Sequence, residues 1–341
     1  MTQQLQAQIH APDDVRLDSV VLPEPGPHDA VVRVAACGIC GSDVGYLKLG
    51  GMMGPTGTPM PIGHEFSGTV EAVGREVQGV LPGDRVVVDP QGAANQIGNG
   101  GTEGAFTPRI LVRNVTEGRC LIPIPDSLPF ELAALAEPLG VGMQAVNRSR
   151  AQAGEKAVVF GAGPIGLAAV ATLHQRGIEE IVAVDFSNTR LSVARELGAA
   201  HGFNPAEGKI WPRIREAHGE SEVYGNPAAA TEIYIEASGA PDVIPEIIGR
   251  ACSGARVSVV ALHRQEVPIS FLNVMMKEIE LIGSIAQPPN WDDMLEMLVA
   301  CDLAPMITHH FELERFGEAM AVAQDPDAGA KVMIHMDSET D

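Results

Sequence analysis

Three stretches, Cys37-Gly-Ile-Cys40-Gly-Ser-Asp43, Gly63-His64-Glu65 and Ala136-Glu137-Pro138-Leu139, carry the side-chain types that hold a borderline metal ion. A thiolate, an imidazole and a carboxylate suffice for a catalytic zinc, which keeps one coordination position open for water or substrate. The Cys-x-x-Cys pair has two other readings. A redox dithiol wants the pair at a helix N-terminus near a βαβ unit, and a structural zinc wants a second such pair. The sequence supplies neither. Cys37 fits a small buried apolar residue better than a ligand. Asp43 can cap a helix or orient the ring of His64, as carboxylates behind ligating histidines commonly do.

A second chemistry is written in Val158-Val-Phe-Gly-Ala-Gly-Pro-Ile-Gly166, where glycines spaced Gly-x-Gly-x-x-Gly follow an apolar run. Gly161 lets the chain turn off a strand, Gly163 removes a side chain that would hold a pyrophosphate away, and Gly166 lets the next helix sit close to the sheet. Pro164 suits the first helical turn, and Ile165 begins an apolar helical segment. The N-terminus of that helix presents unpaired N–H groups to phosphates. The next apolar strand, Ile181-Val-Ala-Val, ends in Asp185. A carboxylate there accepts hydrogen bonds from an adenosine ribose and repels a 2′-phosphate, so NAD is expected over NADP.

The elements that must position these groups fall into two kinds. Up to about residue 150, short β-like runs (Ala30 to Ala36, Gly68 to Val73, Asp84 to Val88, Arg109 to Arg113) alternate with Gly and Pro, the pattern of an irregular β domain. Leu132 to Arg148 has helical character, and Ala151 to Glu155 connects it to the glycine stretch. From there strands alternate with helices: Lys156 to Phe160, Ser187 to Leu197, Glu232 to Ala237, Pro241 to Cys252, Arg256 to Ala261 and Glu280 to Ile285. That alternation predicts a doubly wound parallel sheet. His218 to Ala230 has no periodicity and reads as a surface loop. Helices at Trp291 to Ala300 and Leu313 to Gln324 and a strand at Lys331 to His335 then suggest a return to the first domain. The expected division is 1–150, 151–286 and 287–341.

With 341 residues the chain can bury two cores. A net charge of −21 argues against nucleic acid or an anionic membrane as partner. Acids such as Glu179-Glu180 and the tail Asp337 to Asp341 are expected to be solvated surface. Five widely spaced cysteines do not form a secreted disulfide framework, and no apolar run has membrane-spanning length. A soluble, cytoplasmic protein is expected.

Taken in order, Cys37 to Asp43, Gly63-His-Glu-Phe-Ser-Gly-Thr-Val70, Pro82-Gly-Asp-Arg-Val86, Glu137-Pro-Leu139 and the glycine stretch resemble the medium-chain, zinc-dependent alcohol and polyol dehydrogenases over nearly the whole chain. The likeness is closest to the sorbitol and butanediol dehydrogenase branch, where Glu-Pro-Leu carries a glutamate in place of a cysteine. The resemblance implies an α/β chain in which a GroES-like catalytic domain precedes a Rossmann cofactor domain. It implies that Cys40 is the thiolate ligand, joined by His64, with Glu65 and Glu137 supplying the carboxylate directly or through water. Ser42 would relay the proton of a small alcohol substrate as hydride passes to the nicotinamide. Ser238, Ala261, Leu262 and Ser284, at strand ends, would flank the nicotinamide and ribose. Arg190 would stack on adenine or pair with a surface acid, and Lys331 would approach the pyrophosphate unless it is a solvated strand end.

Two departures from the family pattern matter. Asp89 to Gly101 is short and free of cysteine, so one catalytic zinc and no structural zinc are expected. Gly45 stands where relatives often carry the outer histidine of the proton relay. Met52, Met53 and Met60 are expected to line an apolar substrate mouth, and His309 and His310 lack ligand spacing. Homodimers or homotetramers built on sheet edges of the cofactor domain are expected, with Val267 to Ile285 as the edge. The competing readings are a zinc-free quinone or enone reductase of the same fold and a non-catalytic NAD-binding protein on this scaffold.

Overall fold

The computed structural model describes residues 3–115 and 120–336. The acidic tail from Asp337 to Asp341 lies outside them. The described chain divides into two units. One runs to Glu137 and takes in Leu295–Val299 and the chain from Ile307; the other comprises Pro138–Met294 and Ala300–Met306.

Val32-Arg-Val34 alternates buried and partly exposed positions as a strand buried on one face does, and Val86-Val-Val88, buried throughout, is covered on both faces. The first unit's seven-stranded sheet runs in the order Ile307–Glu312, Lys331–His335, Ala30–Gly38, Glu65–Val73, Arg85–Val88, Leu121–Pro123, with Arg109–Val112 also pairing with Ala30–Gly38. The two C-terminal strands thus belong to the sheet that carries the Cys-x-x-Cys strand. Gly38 is flanked by Glu65 on one side and Met333 on the other. A three-stranded sheet of Asp14–Val21, Gln3–Ala11 and Met60–Pro61 completes the unit. Phe106 and Phe316, both buried with ring centroids 4.8 Å apart, sit in its core.

The second unit is a six-stranded parallel sheet in the order His201–Phe203, Glu180–Val184, Lys156–Phe160, Ile233–Glu236, Arg256–Val259, Glu280–Gly283. Numbered along the chain this is 3-2-1-4-5-6, the doubly wound arrangement, whose ligand crevice lies where the winding reverses, between Lys156–Phe160 and Ile233–Glu236. Among the described residues no helix is long and apolar enough to cross a membrane.

Several elements differ from the sequence reading. The helical stretch from Leu132 breaks at Leu135 into Phe130–Ala134 and Ala136–Ser149, and the junction between units falls inside the second of these, after Glu137, not at residue 150. The expected loop at 218–230 is a hairpin of Glu220–Val223 and Asn226–Ala229. Tyr224 and Gly225 both have positive φ, 50° and 76°, which is the turn geometry that matches strand twist in a two-residue hairpin. A tyrosine in that place hid the signal. Gln3–Ala11, Asp14–Val21, Ile210–His218, Phe271–Lys277 and Ile307–Glu312 also form elements that went unpredicted.

Candidate metal and cofactor sites

Cys40 stands at the N-cap of the helix Gly41–Leu49, and Asp43, three residues on, turns its Oδ2 back to accept the Cys40 N–H at 2.9 Å. With the Cys40 side chain facing the Asp43 backbone in return, this is a capping box that fixes the start of the helix. Asp43 Oδ1 accepts from Gly63 N at 3.3 Å, so one fully buried carboxylate ties the cysteine segment to the histidine segment. Gly63 has φ +95°, and a Cβ there would lie 2.7 Å from the Phe106 ring; glycine is required for the chain to present His64 as it does.

The result is convergence. Ligand atoms of Cys40, His64 and Glu65 all lie within 4.8 Å of one another. His64 Nε2 is 3.4 Å from Ser42 Oγ, while Nδ1 faces Asp43 Oδ1 at 3.7 Å, beyond hydrogen-bond reach. Asp43 therefore caps the helix and sits behind the histidine without a hydrogen bond to it. Cys37 is fully buried, and burial first, then Asp43 and Glu65, push its thiol well above the usual range. It stays a packing residue, as its type suggested.

Glu137 is buried in the first turn of Ala136–Ser149 and is not among the three converging donors, so of the two glutamates expected to serve the metal directly or through water, Glu65 is the one whose oxygen converges with Cys40 and His64. Burial, with Glu65 adding and His64 and Lys331 opposing, pushes the Glu137 carboxyl up to about 7.

Lys331 is the larger correction. It is neither a solvated strand end nor poised, in this arrangement, for a phosphate: its side chain is 1% exposed, with Nζ 2.5 Å from Glu65 Oε2 and 3.0 Å from the Ile39 carbonyl. Burial opposes its charge, yet Glu65, Cys40 and Glu137 outweigh that and hold its pKa above the ordinary value. The cause is strand order. Glu65 and Lys331 approach from strands on either side of Gly38, where a Cβ would collide with Glu65 Oε2 and lie 3.2 Å from Lys331 Cδ.

The donor set fits zinc. Thiolate, imidazole and carboxylate are its usual ligands, Glu65 Oε1 is buried without a hydrogen-bond partner while Lys331 occupies Oε2, and the local field is negative. Burial would lower the pKa of His64, but Asp43, Cys40 and Glu137 raise it well above the usual value, so the site draws in positive charge. Of the three methionines expected at a substrate mouth, Met60 packs on the first unit's core, while Met52 and Met53 are exposed.

In the second unit, Gly161 has φ +89°, and a Cβ would meet the Ala237–Ser238 backbone at 2.8 Å. Gly163 caps the helix Pro164–Gln175 and has only open space where a Cβ would be, leaving that helix end clear for a phosphate group. A Cβ on Gly166 would collide with the Gly161 carbonyl. Asp185 Oδ2 accepts from Ala162 N at 2.7 Å and Oδ1 from Ser187 N at 2.8 Å, which holds the carboxylate beside the glycine turn. Ile165 and Arg190 lie in the first turns of the two helices that follow these strands.

At the other side of the winding reversal stands a residue the sequence reading missed. Glu236, fully buried, ends its strand; its Oε1 accepts from Ser238 N, Ser238 Oγ and Gly239 N at 2.5–2.9 Å, and Oε2 lies 2.8 Å from His263 Nε2. It fixes the loops carrying Ser238, Ala261 and Leu262. Ser284 Oγ is buried without a partner. An acid closing the all-apolar run Ile233-Tyr-Ile was the available signal.

Residues 26–126 match the family model for the alcohol dehydrogenase GroES-like domain, and residues 164–300 that of the zinc-binding dehydrogenases. Sorbitol dehydrogenase of Homo sapiens is 32% identical over 96% of this chain and 95% of its own length; that of Gallus gallus is 32% identical over 98% and 97%. The structure of 2R,3R-butanediol dehydrogenase from Bacillus subtilis superposes with a TM-score of 0.85 at 28% identity, covering 98% of this chain and all of that one. With both family signatures in order and a donor cluster suited to zinc, the chain belongs to the medium-chain, zinc-dependent alcohol and polyol dehydrogenases, oxidoreductases that use a nicotinamide cofactor.

Proposed function

We propose that this chain oxidises a secondary alcohol, of polyol, diol or cyclic type, to the ketone with NAD and one catalytic zinc. The observation that carries the reading is the buried convergence of Cys40, His64 and Glu65, set beside relatives named for sorbitol and butanediol oxidation. Zinc held there would supply Lewis acidity, lowering the pKa of a hydroxyl oxygen as it does that of water. NAD would supply the hydride acceptor.

The chain's own residues do the rest. Asp43 holds the Cys40 and Gly63 amides and so fixes two ligand segments at once. Lys331 occupies one oxygen of Glu65 and leaves the other for the cation. Ser42 Oγ, 3.4 Å from His64 Nε2, is placed to accept the substrate hydroxyl proton, and with Gly45 offering no side chain beyond it the onward transfer would fall to solvent.

Asp185 supports NAD over NADP, since its carboxylate is held at the end of the second strand, where a 2′-phosphate would be repelled. A single zinc is supported by the lobe around residues 89–115: Glu103, buried, accepts from Asn95 Nδ2 at 2.9 Å and from Arg113 at 3.1 Å, a polar knot in a segment without cysteine. Phe271, Leu272, Met275 and Ile285 are exposed in the segments that precede and follow the edge strand Glu280–Gly283 in sequence, and they support a homodimer or homotetramer through that region. The five cysteines are free, which suits a reducing cytoplasm. A zinc-free reductase would leave the Cys40, His64, Glu65 cluster without a use.

NAD reduction screened over sorbitol, butanediol, other polyols, L-threonine and cyclic and aryl alcohols tests the reading. Turnover is expected with at least one secondary alcohol; turnover only in the direction of enone or quinone reduction would overturn it.

A further inference from the structure

Away from the zinc ligands, the first unit gathers a second set of metal-binding side chains: Glu131, His310 and His335. Their sequence separation hid them. His310 lies on Ile307–Glu312 and His335 ends Lys331–His335; these strands are parallel neighbours, with His310 opposite Met333, so the two imidazoles fall on adjacent positions of one face. Glu131 reaches them from the first turn of Phe130–Ala134. That helix is pinned: the Phe130 carbonyl accepts from Ser67 Oγ at 2.6 Å, and the Arg85 guanidinium stacks on its ring at 4.2 Å. All three side chains therefore spring from framework elements.

His310 Nδ1 and His335 Nε2 are 3.0 Å apart, and each faces Glu131 Oε2, at 3.5 and 3.7 Å. Three donors on one ion with bonds of about 2.0–2.2 Å stand about 3.0–3.5 Å from one another. The rings lie nearly parallel, 20° between planes with centroids 5.3 Å apart. His310 is exposed and the other two are half-buried, so solvent reaches the group, and a cavity of about 370 Å³ opens beside Glu131 and His335.

We propose that Glu131, His310 and His335 form a second, solvent-accessible site for a borderline divalent cation, Zn²⁺, Co²⁺ or Ni²⁺, distinct from the thiolate site. Two imidazoles and one carboxylate with positions left for water suit that class and not Ca²⁺ or Mg²⁺, which take oxygen ligands. The site ties the C-terminal strand pair to the helix that leads into Glu137. A bound ion stabilises the first unit by mass action without touching the reacting atoms.

Zinc-loaded enzyme, dialysed to remove loose metal, is titrated with CoCl₂ while binding and absorbance are followed. The expected result is one further equivalent of Co²⁺ with weak visible bands and no thiolate-to-cobalt charge transfer in the near ultraviolet, a rise in thermal midpoint, and unchanged turnover. His310→Asn and His335→Asn should each weaken that equivalent at least about tenfold. His310→Asn decides alone if His335→Asn fails to fold. Absence of a saturable equivalent, a thiolate band accompanying it, or binding at unchanged affinity in either folded variant overturns the proposal. In those cases the pair is a hydrogen-bonded couple and not a metal site.

Discussion

The two sites of this chain are assembled in opposite ways. The dinucleotide turn is local: Gly161, Gly163, Gly166 and Asp185 lie within one strand-helix-strand run, and backbone geometry does most of the work. The proposed metal centre is non-local: Cys40, His64, Glu65 and Lys331 come from a helix start, a strand start and the last strand, joined by buried charge. A site made of backbone tolerates side-chain change around it, whereas a site made of compensated charges fails when any partner is removed.

The sharpest way to break that comparison is Cys40→Ser. Turnover should drop to the level of the enzyme-free control while NAD affinity, measured by fluorescence titration, stays within about twofold, because the two sites share no ligand. A parallel loss of NAD binding would show that they are not independent.

Lys331→Met comes next. It leaves Glu65 buried without its counter-charge, which should cost about 3–5 kcal/mol of stability in denaturant melts, with a smaller loss once zinc is bound. An unchanged midpoint would mean that the pair contributes only geometry.

The cofactor unit carries its own acid sensitivity. His218, buried at the end of Ile210–His218 with Nδ1 2.7 Å from Thr231 Oγ1, is pushed down to about 4 by burial first and then by Lys156 and His201. Its unfolded value is about 6.5, so between the two values the unfolded chain binds more protons. Stability from keeping this ring neutral is therefore complete above about pH 6.5 and is lost as pH falls toward about 4, by about 2–3 kcal/mol. The difference between wild type and His218→Gln melts across that window should trace the loss; parallel curves would count against it.

Smallest is Asp185→Ser, which should narrow the preference for NAD over NADP by about tenfold, or about 1.4 kcal/mol, by weakening ribose hydrogen bonds and removing repulsion. An unchanged ratio of kcat/KM values would assign selection elsewhere.

The same contrast explains what could be read beforehand. Glycines at fixed offsets and an acid at a strand end announce themselves within thirty residues, because the conformations they permit are local. Cys40, His64 and the two glutamates were legible as chemistry and gained an order from the family resemblance, but not their division into converging donors and a charged neighbour. Lys331 could not be placed, since its contact with Glu65 depends on which strands flank Gly38. Glu236 with His263, and Glu131 with His310 and His335, were hidden for the same reason: register and strand order decide them. The 220–229 hairpin was lost to a tyrosine in a turn that usually announces itself with Asn or Asp.

Alcohol oxidation is proposed to depend on zinc held by the buried Cys40, His64, Glu65 cluster. The most direct measurement is NAD reduction by the best secondary alcohol after complete chelation, followed by stepwise return of Zn²⁺. Activity should vanish and return in proportion to the first equivalent of zinc per chain, reaching its limit there. Full turnover in the metal-free protein, or a return that needs a second equivalent, would contradict the account.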